Sequence, residues 1–322
     1  MDNQQKGILC VIAAMGIFSI QDSLIKGLSG EYPLHEVVLV RALVASVVLL
    51  IVMQYEGGVR ALRTRRPGLH LGRGLLIVCA NSCFFMGLAS MPLAETMALF
   101  FVAPLFITVM SVVFLGEDVG IRRWAAIAVG MTGMLVVLRP GTSLFEPVAL
   151  LPVAAAVAYS SMQMLTRKIG LEDQASTMAF YIQVTFIVVS STVGLIAGDG
   201  AYAGSGNASL EFLLRAWRWP TFEHGALFVF IGAINAAGAY FMSQAYRSAR
   251  ASVVAPFEYV ALPLGLLWGW LFWRDFPDAW AFLGIGLIIG SGIYVVYREG
   301  VRRRQRIAEE QTLSLPDDGP AR

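Results

Sequence analysis

Ten times along this chain an apolar run of roughly 20 residues recurs, about the length a helix needs to cross the hydrocarbon core of a bilayer. The runs are Gly7–Leu28, Val37–Met53, Leu71–Ser90, Leu93–Leu115, Trp124–Leu138, Pro147–Leu165, Ser176–Ala197, Ala226–Ala245, Ser252–Phe272 and Ala279–Tyr297, numbered spans 1 to 10. In lipid a backbone must satisfy its polar groups within the segment, so runs of this kind are helices. Composition agrees: 57% of residues are apolar and 14% charged, where soluble domains carry about a quarter charged. The expected fold class is an all-α membrane protein of ten transmembrane helices. The first run is longer than the apolar stretch of a secretory signal, and no small-x-small site follows it. It is read as a retained span.

Basic residues orient the spans. With the N-terminus in the cytoplasm, eighteen of the 24 Lys and Arg fall in inside segments or at inside span edges, in clusters such as Arg60–Arg73, Arg122–Arg123, Arg167–Lys168, Arg247–Arg250 and Arg298–Arg322. The outside segments hold four: Arg139, Arg215, Arg218 and Arg274. The expectation is a multi-pass protein of the cell inner membrane with both termini cytoplasmic. A net charge of +2, with no basic stripe interleaved with aromatics, speaks against a nucleic-acid partner. Cys10, Cys79 and Cys83 lie inside apolar runs at spacings that suit neither a disulfide framework nor a zinc site, so they are read as small hydrophobes. The long outside loop Gly198–His224 carries LEFLLRAWRWP (Leu210–Pro220), whose Trp217 and Trp219 suit a helix lying at the interface. The tail from Arg298 turns from basic to acidic, its RRRQR (Arg302–Arg306) reads as an inside anchor, and disorder is expected beyond Ile307.

The ten runs divide into two sets of five. AMGIFSIQDSLIK (Ala14–Lys26) lies over AAVAYSSMQMLTR (Ala155–Arg167): Phe18 matches Tyr159, Ser19 matches Ser160, and Lys26 matches Arg167. Further on, FVAPLFITVMSVVFLGE (Phe101–Glu117) lies over YVALPLGLLWGWLFWRD (Tyr259–Asp275), with Pro104 and Pro263 one residue out of step. Trp124 and Gly130 correspond to Trp280 and Gly286 after a two-residue gap. Five helices per half is odd, so the second half enters the membrane inverted, an architecture of secondary transporters with the site near the midplane. The expected units are residues 1–140, residues 147–297 and a cytoplasmic tail, 298–322.

These stretches, with FLGEDVGIRRWAAIAVGMTGMLVV closing the first half, resemble the EamA branch of the drug/metabolite transporter superfamily from about Gly7 to Tyr297. The opening FxxxDxxxK, with an Arg in span 2, looks like the vitamin and S-adenosylmethionine carriers of that group, riboflavin importers among them. The resemblance implies transport and a central cavity lined mainly by spans 1, 3, 4, 6, 8 and 9.

Span centres nominate the cavity residues. Phe18, Ser19, Tyr159 and Ser160 fall at the midplane of spans 1 and 6, and Asn81 and Asn235 at the middle of spans 3 and 8. An amide in hydrocarbon needs a partner, so the pair suggests a shared polar chamber. The competing reading is interhelical hydrogen bonds of about 0.6 kcal/mol. Phe84, Phe85, Tyr240 and Tyr259 offer stacking faces, against the alternative of packing or lipid contact. Pro104 and Pro263 free carbonyls in spans 4 and 9, tolerated where backbone lines a cavity. The GxxxG pairs Gly265–Gly269 and Gly286–Gly290 are expected to pack the bundle, with a homodimer face as the alternative to a monomer.

Charges inside spans usually face protein or water, since a lone one costs about 2.5–3.5 kcal/mol on insertion scales. Setting aside Arg73 at the rim of span 3, they are Asp22, Lys26, Arg41, Glu95 and Glu258. The first four share the outer half, with Asp22 and Lys26 at i,i+4, acid first; they are expected to form one network that acts as an outer gate. The alternative is a fixed pair with Lys26 and Arg41 reaching to the interface. Glu258 lies about 10 Å into the inner half by helical rise. Arg167 is its expected neighbour, and a proton-coupling or substrate-cation role competes with a structural Glu258–Arg167 pair.

Enzyme chemistry is not expected. His35–Glu36 is followed by aliphatics rather than an HExxH pattern, and there is no GxSxG or GxxxxGK[ST]. The reading has no catalytic residues, metal or cofactor. It is a secondary transporter of a small polar metabolite, a vitamin or nucleoside-like compound, by alternating access. Export of amino acids or toxic metabolites is the alternative within transport; a non-transporting membrane scaffold or sensor is the alternative outside it.

Overall fold

A computed structural model describes residues 3–56, 58, 62–116, 120–139, 146–169, 172–294 and 297, without the side chains of 123 and 252. Glu117, the expected counterpart of Asp275, and the whole tail from Arg298 lie outside the described residues. The chain builds α1 (Asn3–Leu28), α2 (Leu34–Tyr55), α3 (Pro67–Ser90), α4 (Leu93–Phe100), α5 (Ala103–Leu115) and α6 (Ile121–Leu138). A 3-10 turn (Pro147–Ala149) then leads into α7 (Leu150–Ile169), α8 (Ala175–Ala197), the short α9 (Ala208–Leu214) and α10 (Phe222–Ser248). Next come α11 (Ala251–Val254), a 3-10 segment (Ala255–Val260), α12 (Ala261–Trp268), a π turn (Gly269–Trp273) and α13 (Ala279–Tyr294). Among the described residues there is no strand.

Among the described residues, eight helical stretches are long and apolar enough to cross a membrane, and each coincides with one of the apolar runs. The other two runs are the shorter apolar helices Trp124–Leu138 and Ala279–Tyr294. Several helices start up to four residues before their run. Short connections make successive long helices antiparallel. The end where α1 begins is called the basic end below, and the end where it stops the far end.

Two stretches are interrupted. Between α4 and α5 the break falls at Phe101–Val102, and Pro104 takes the first turn of the restarted helix. In the later part of the chain the break is the 3-10 segment, with Pro256 near its start, and Pro263 again sits in the first turn after the restart. Proline fits there because a first-turn N–H has no intrahelical partner. The restarts, at Ala103 and Ala261, are the residues aligned in the sequence match.

Glycines set the closest crossings. A Cβ on Gly133 would meet the Gly284 carbonyl at 2.7 Å, and one on Gly284 would meet that of Gly133 at 2.6 Å, so α6 and α13 touch backbone to backbone. Gly265 faces Met97 and Gly269 faces Leu93, packing α12 and the π turn on α4. The expectation fails for Gly286 and Gly290: both are exposed with open space around them, because α13 packs on α6 through its Gly284 face. Cys79 is likewise exposed rather than a core residue.

The loop before α10 also departs from expectation. Its helix is only α9, capped by the Asn207 side chain accepting from Ser209 and Leu210 N–H. Trp217 and Trp219 follow it in non-helical backbone. Trp217 donates its backbone N–H to the Gly198 carbonyl, and its indole fills the space over Gly194 and Gly198. That anchor ends the helix early and leaves Trp219 97% exposed.

Candidate functional site

A cavity of about 140 Å³ lies in the core of the bundle, lined by α1, α2, α3, α4, α7, α8, α10 and the first residue of α12. Spans 2 and 7 therefore contribute in addition to the six that the resemblance implied. One part of its wall is aromatic and sulfur-rich, with Phe18, Phe84, Phe85, Phe100, Phe101 and Phe186 beside Met15, Met97, Met162 and Met242. The other part is amide and charge: Gln21, Asp22, Arg41, Arg73, Asn81, Gln163, Gln183 and Asn235. The helical period explains the assignment. Phe18, Gln21 and Asp22 fall on one face of α1 at i, i+3 and i+4, and Ile77, Asn81 and Phe84 share a face of α3 at i, i+4 and i+7.

Of the residues nominated for substrate contact, Phe18, Ser19, Asn81, Phe85, Tyr159 and Asn235 line the cavity. Three do not. Ser160 turns to α5, donating to the Ala103 carbonyl (3.1 Å) and the Ala156 carbonyl (2.6 Å). Tyr240 donates to Glu56 Oε1 at 2.5 Å, near the basic end. The Tyr259 ring packs against Gly292 of α13. Ser160 and Ser19 nevertheless occupy related positions. Ser160 on α7 ties to the restart of α5, while Ser19 on α1 accepts from the indole N–H of Trp268 on α12 at 3.3 Å.

The charges sort differently from the expected single network. Asp22 and Arg41 line the cavity and lie within electrostatic reach of each other. Lys26 forms no ion pair with Asp22. Its ammonium donates to the carbonyls of Leu88 (3.2 Å) and Met91 (2.8 Å), at the turn between α3 and α4, and sits 5.5 Å from the Trp273 ring. Main-chain oxygens at a helix end already carry unanswered acceptors, so they hold the Lys26 ammonium directly, with the Asp275 carboxylate within electrostatic reach. Glu95, in the first turn of α4, faces the Arg139–Asp278 pair rather than Asp22.

Glu258 is 0% exposed, and its neighbour is not Arg167. Glu258 Oε1 accepts from Tyr159 (3.1 Å) and from Tyr246, whereas Arg167 donates to the Arg247 carbonyl at 3.4 Å. Arg167 sits in the last turn of α7, too near the basic end to meet a carboxyl in the 3-10 segment. Gln163 donates to the Tyr159 hydroxyl at 2.7 Å, so a chain of hydrogen bonds runs from the cavity wall to the buried carboxyl.

Sequence reasoning missed Gln21, Gln163, Gln183 and Ser243, and placed Arg73 at a rim. Arg73 is 1% exposed and lines the cavity, with Nε donating to Thr166 Oγ1 (2.8 Å) and Nη1 to the Met178 carbonyl (3.3 Å). The available signal was periodicity: Gln163 is one helical turn beyond Tyr159, and Gln21 is three residues beyond Phe18. Among the described residues no three His, Cys, Asp or Glu side chains gather as a metal site requires.

The relatives found by comparison are named as transporters. The model of the EamA-like transporter family matches residues 5–139. A riboflavin transporter of Rhizobium johnstonii is 32% identical over 77% of this chain and 76% of its own length. An S-adenosylmethionine uptake transporter of Rickettsia prowazekii is 27% identical over 91% of this chain and 93% of its own. A protein of known crystal structure shares the fold, with a TM-score of 0.66 at 20% identity over 94% of this chain and 99% of that one.

Proposed function

We propose, from the premise that this chain belongs to the EamA-like transporter family of the drug/metabolite transporter superfamily, that it is a secondary carrier of a small polar heteroaromatic metabolite, riboflavin or a nucleoside-like compound such as S-adenosylmethionine. The observation that carries this reading is the cavity, with its aromatic wall for a flat ring and its amides and arginines for polar edges. Such a mix suits ligand recognition, in which a few placed polar groups fix orientation among apolar walls. At about 140 Å³ it is smaller than the roughly 300–1,000 Å³ of drug-sized sites. Loading would therefore move the Phe and Met side chains, as alternating access requires.

Two inverted halves, 1–140 and 147–297, are supported by the aligned restarts at Ala103 and Ala261 and by the related ties of Ser19 and Ser160; residues 298–322 would form a cytoplasmic tail. The basic clusters favour the cell inner membrane with both termini in the cytoplasm. One chain lines the whole cavity, so each protomer would work alone, as a monomer or within a homodimer. Lys26 would serve as the outer latch, its ammonium releasing the Leu88 and Met91 carbonyls when α1 parts from the α3–α4 turn. Glu258 would couple proton uptake to the cavity through Tyr159 and Gln163.

Flux into and out of proteoliposomes tests the reading, with riboflavin, S-adenosylmethionine, amino acids and nucleosides as cargo. Saturable flux of a heteroaromatic compound above empty liposomes is expected. Flux of amino acids alone would substitute the export reading, and no flux of any compound would leave a scaffold or sensor.

A further inference from the structure

We infer that Arg41, Asn235 and Gln183 read the edge of a planar heterocycle in which a ring carbonyl adjoins a ring N–H, an imide or ureide, and that the cavity rejects cationic cargo. The inference rests on the transport reading and sharpens its substrate class.

Arg41 is 1% exposed, in the cavity wall on α2. A guanidinium carries five N–H donors and no acceptor. Among the described residues its single hydrogen bond is a long one, Nη2 to Asn81 Oδ1 at 3.4 Å, and both Nε and Nη1 are buried without a partner. Native cores rarely leave charged donors unanswered, and each such group calls for an explanation. The same wall holds the complementary deficit. Asn235 gives its Nδ2 to Gln21 Oε1 at 2.9 Å, but its Oδ1 has no partner, and neither does Gln183 Oε1. Idle donors on one residue and idle acceptors on two others, around one cavity, are answered together by a ligand that presents both carbonyl oxygen and N–H. A carboxylate would answer only Arg41, and an ammonium only the two amides.

Shape and charge narrow the class further. The Arg41 guanidinium lies 5.1 Å from the Phe186 ring, and Phe18, Phe84 and Phe100 add ring faces, so the space suits a flat cargo. Among the described lining residues Asp22 is the sole carboxylate, within electrostatic reach of the Arg41 guanidinium; the remaining formal charge in the wall is the guanidinium of Arg73. Glu258 is not among the described lining residues: it is held behind Tyr159, with Oε1 accepting from two tyrosines and Oε2 without a partner. A sulfonium would therefore meet one carboxylate against two guanidiniums, in surroundings where charges interact more strongly than in water. S-adenosylmethionine carries one net positive charge; the tricyclic ring of riboflavin is neutral and ends in an imide.

Competition against riboflavin uptake in proteoliposomes tests this, with uridine (an imide edge on a small ring), adenosine (no imide) and S-adenosylmethionine as competitors. Riboflavin flux is expected, with uridine competing, adenosine at least about tenfold weaker and S-adenosylmethionine inert. In Arg41→Gln the preference for uridine over adenosine should fall at least about tenfold; Gln183→Leu reads the same preference if Arg41→Gln does not fold. Equal competition by adenosine or S-adenosylmethionine, an unchanged preference in both variants, or S-adenosylmethionine flux without riboflavin flux would overturn the inference while leaving transport intact. No flux of any compound would overturn the transport reading as well.

Discussion

Arg41 and Arg73 line one cavity and are equally buried, yet they are held in opposite ways. Arg73 is pinned by a hydroxyl on α7 and a carbonyl on α8, with Asp173 within electrostatic reach. Arg41 has one weak hydrogen bond to α3 and a ring face on α8, with Asp22 within electrostatic reach but not hydrogen-bonded to it among the described contacts. A buried cation whose donors are engaged holds helices together, and removing it strands its partners. One whose donors are idle adds little to the fold and is free to meet a ligand. The two residues are thus a matched pair for separating stability from function.

The largest expected effect breaks the scaffold side of the pair. Arg73→Leu should lower stability by about 3 kcal/mol, read as denaturant or thermal unfolding in detergent, whereas Arg41→Leu, which breaks one long hydrogen bond and leaves Asp22 without its nearby cation, should lower it by less while abolishing flux. Equal destabilisation by both would erase the distinction. Next, Gly238→Ala places a Cβ 2.5 Å from the Phe18 ring and should cost about 1–3 kcal/mol and slow transport by pushing that ring into the cavity.

A third test concerns the carboxyl behind Tyr159. Glu258→Gln should flatten the pH profile of transport at unchanged protein level; a profile identical to wild type would remove Glu258 from any coupling role. The smallest effect is at the far end, outside the spans. There the hydrogen bond from Arg139 holds the Asp278 carboxyl below its ordinary 3.8. Its folded value lies below its unfolded one, so its stabilising contribution is present above pH 3.8 and is lost as pH falls through the depressed value. Asp278 is half exposed, so the loss in Tm should be slight and should shrink in high salt.

How much of this was legible in the sequence depends on what each element needed. Helix positions followed from apolar length alone, and the aligned Phe101–Val102 and Tyr259–Val260 pairs mark both restarts. Depth was readable too: Phe18, Ser19, Asn81 and Asn235 lie at the cavity level as span centres imply. Direction around a helix was not, which is why Ser160, at the right depth, turns to α5 instead. Partner choice was the least readable, because pairing by opposite charge overlooks neutral partners. Lys26 is held by carbonyl oxygens and Glu258 by tyrosine hydroxyls. Arg73 was assigned to a rim because its apolar run starts at Leu71, but α3 begins at Pro67 and carries it deeper.

The claim that the idle donors of Arg41 serve the cargo is tested most directly by the riboflavin-induced rise in Tm, measured in detergent for wild type, Arg41→Gln and Thr166→Val. A ligand that binds only the folded state raises stability in proportion to its affinity. The account predicts the same rise in wild type and Thr166→Val, which disturbs only the Arg73 anchor, and none in Arg41→Gln. A full wild-type rise in Arg41→Gln would contradict it.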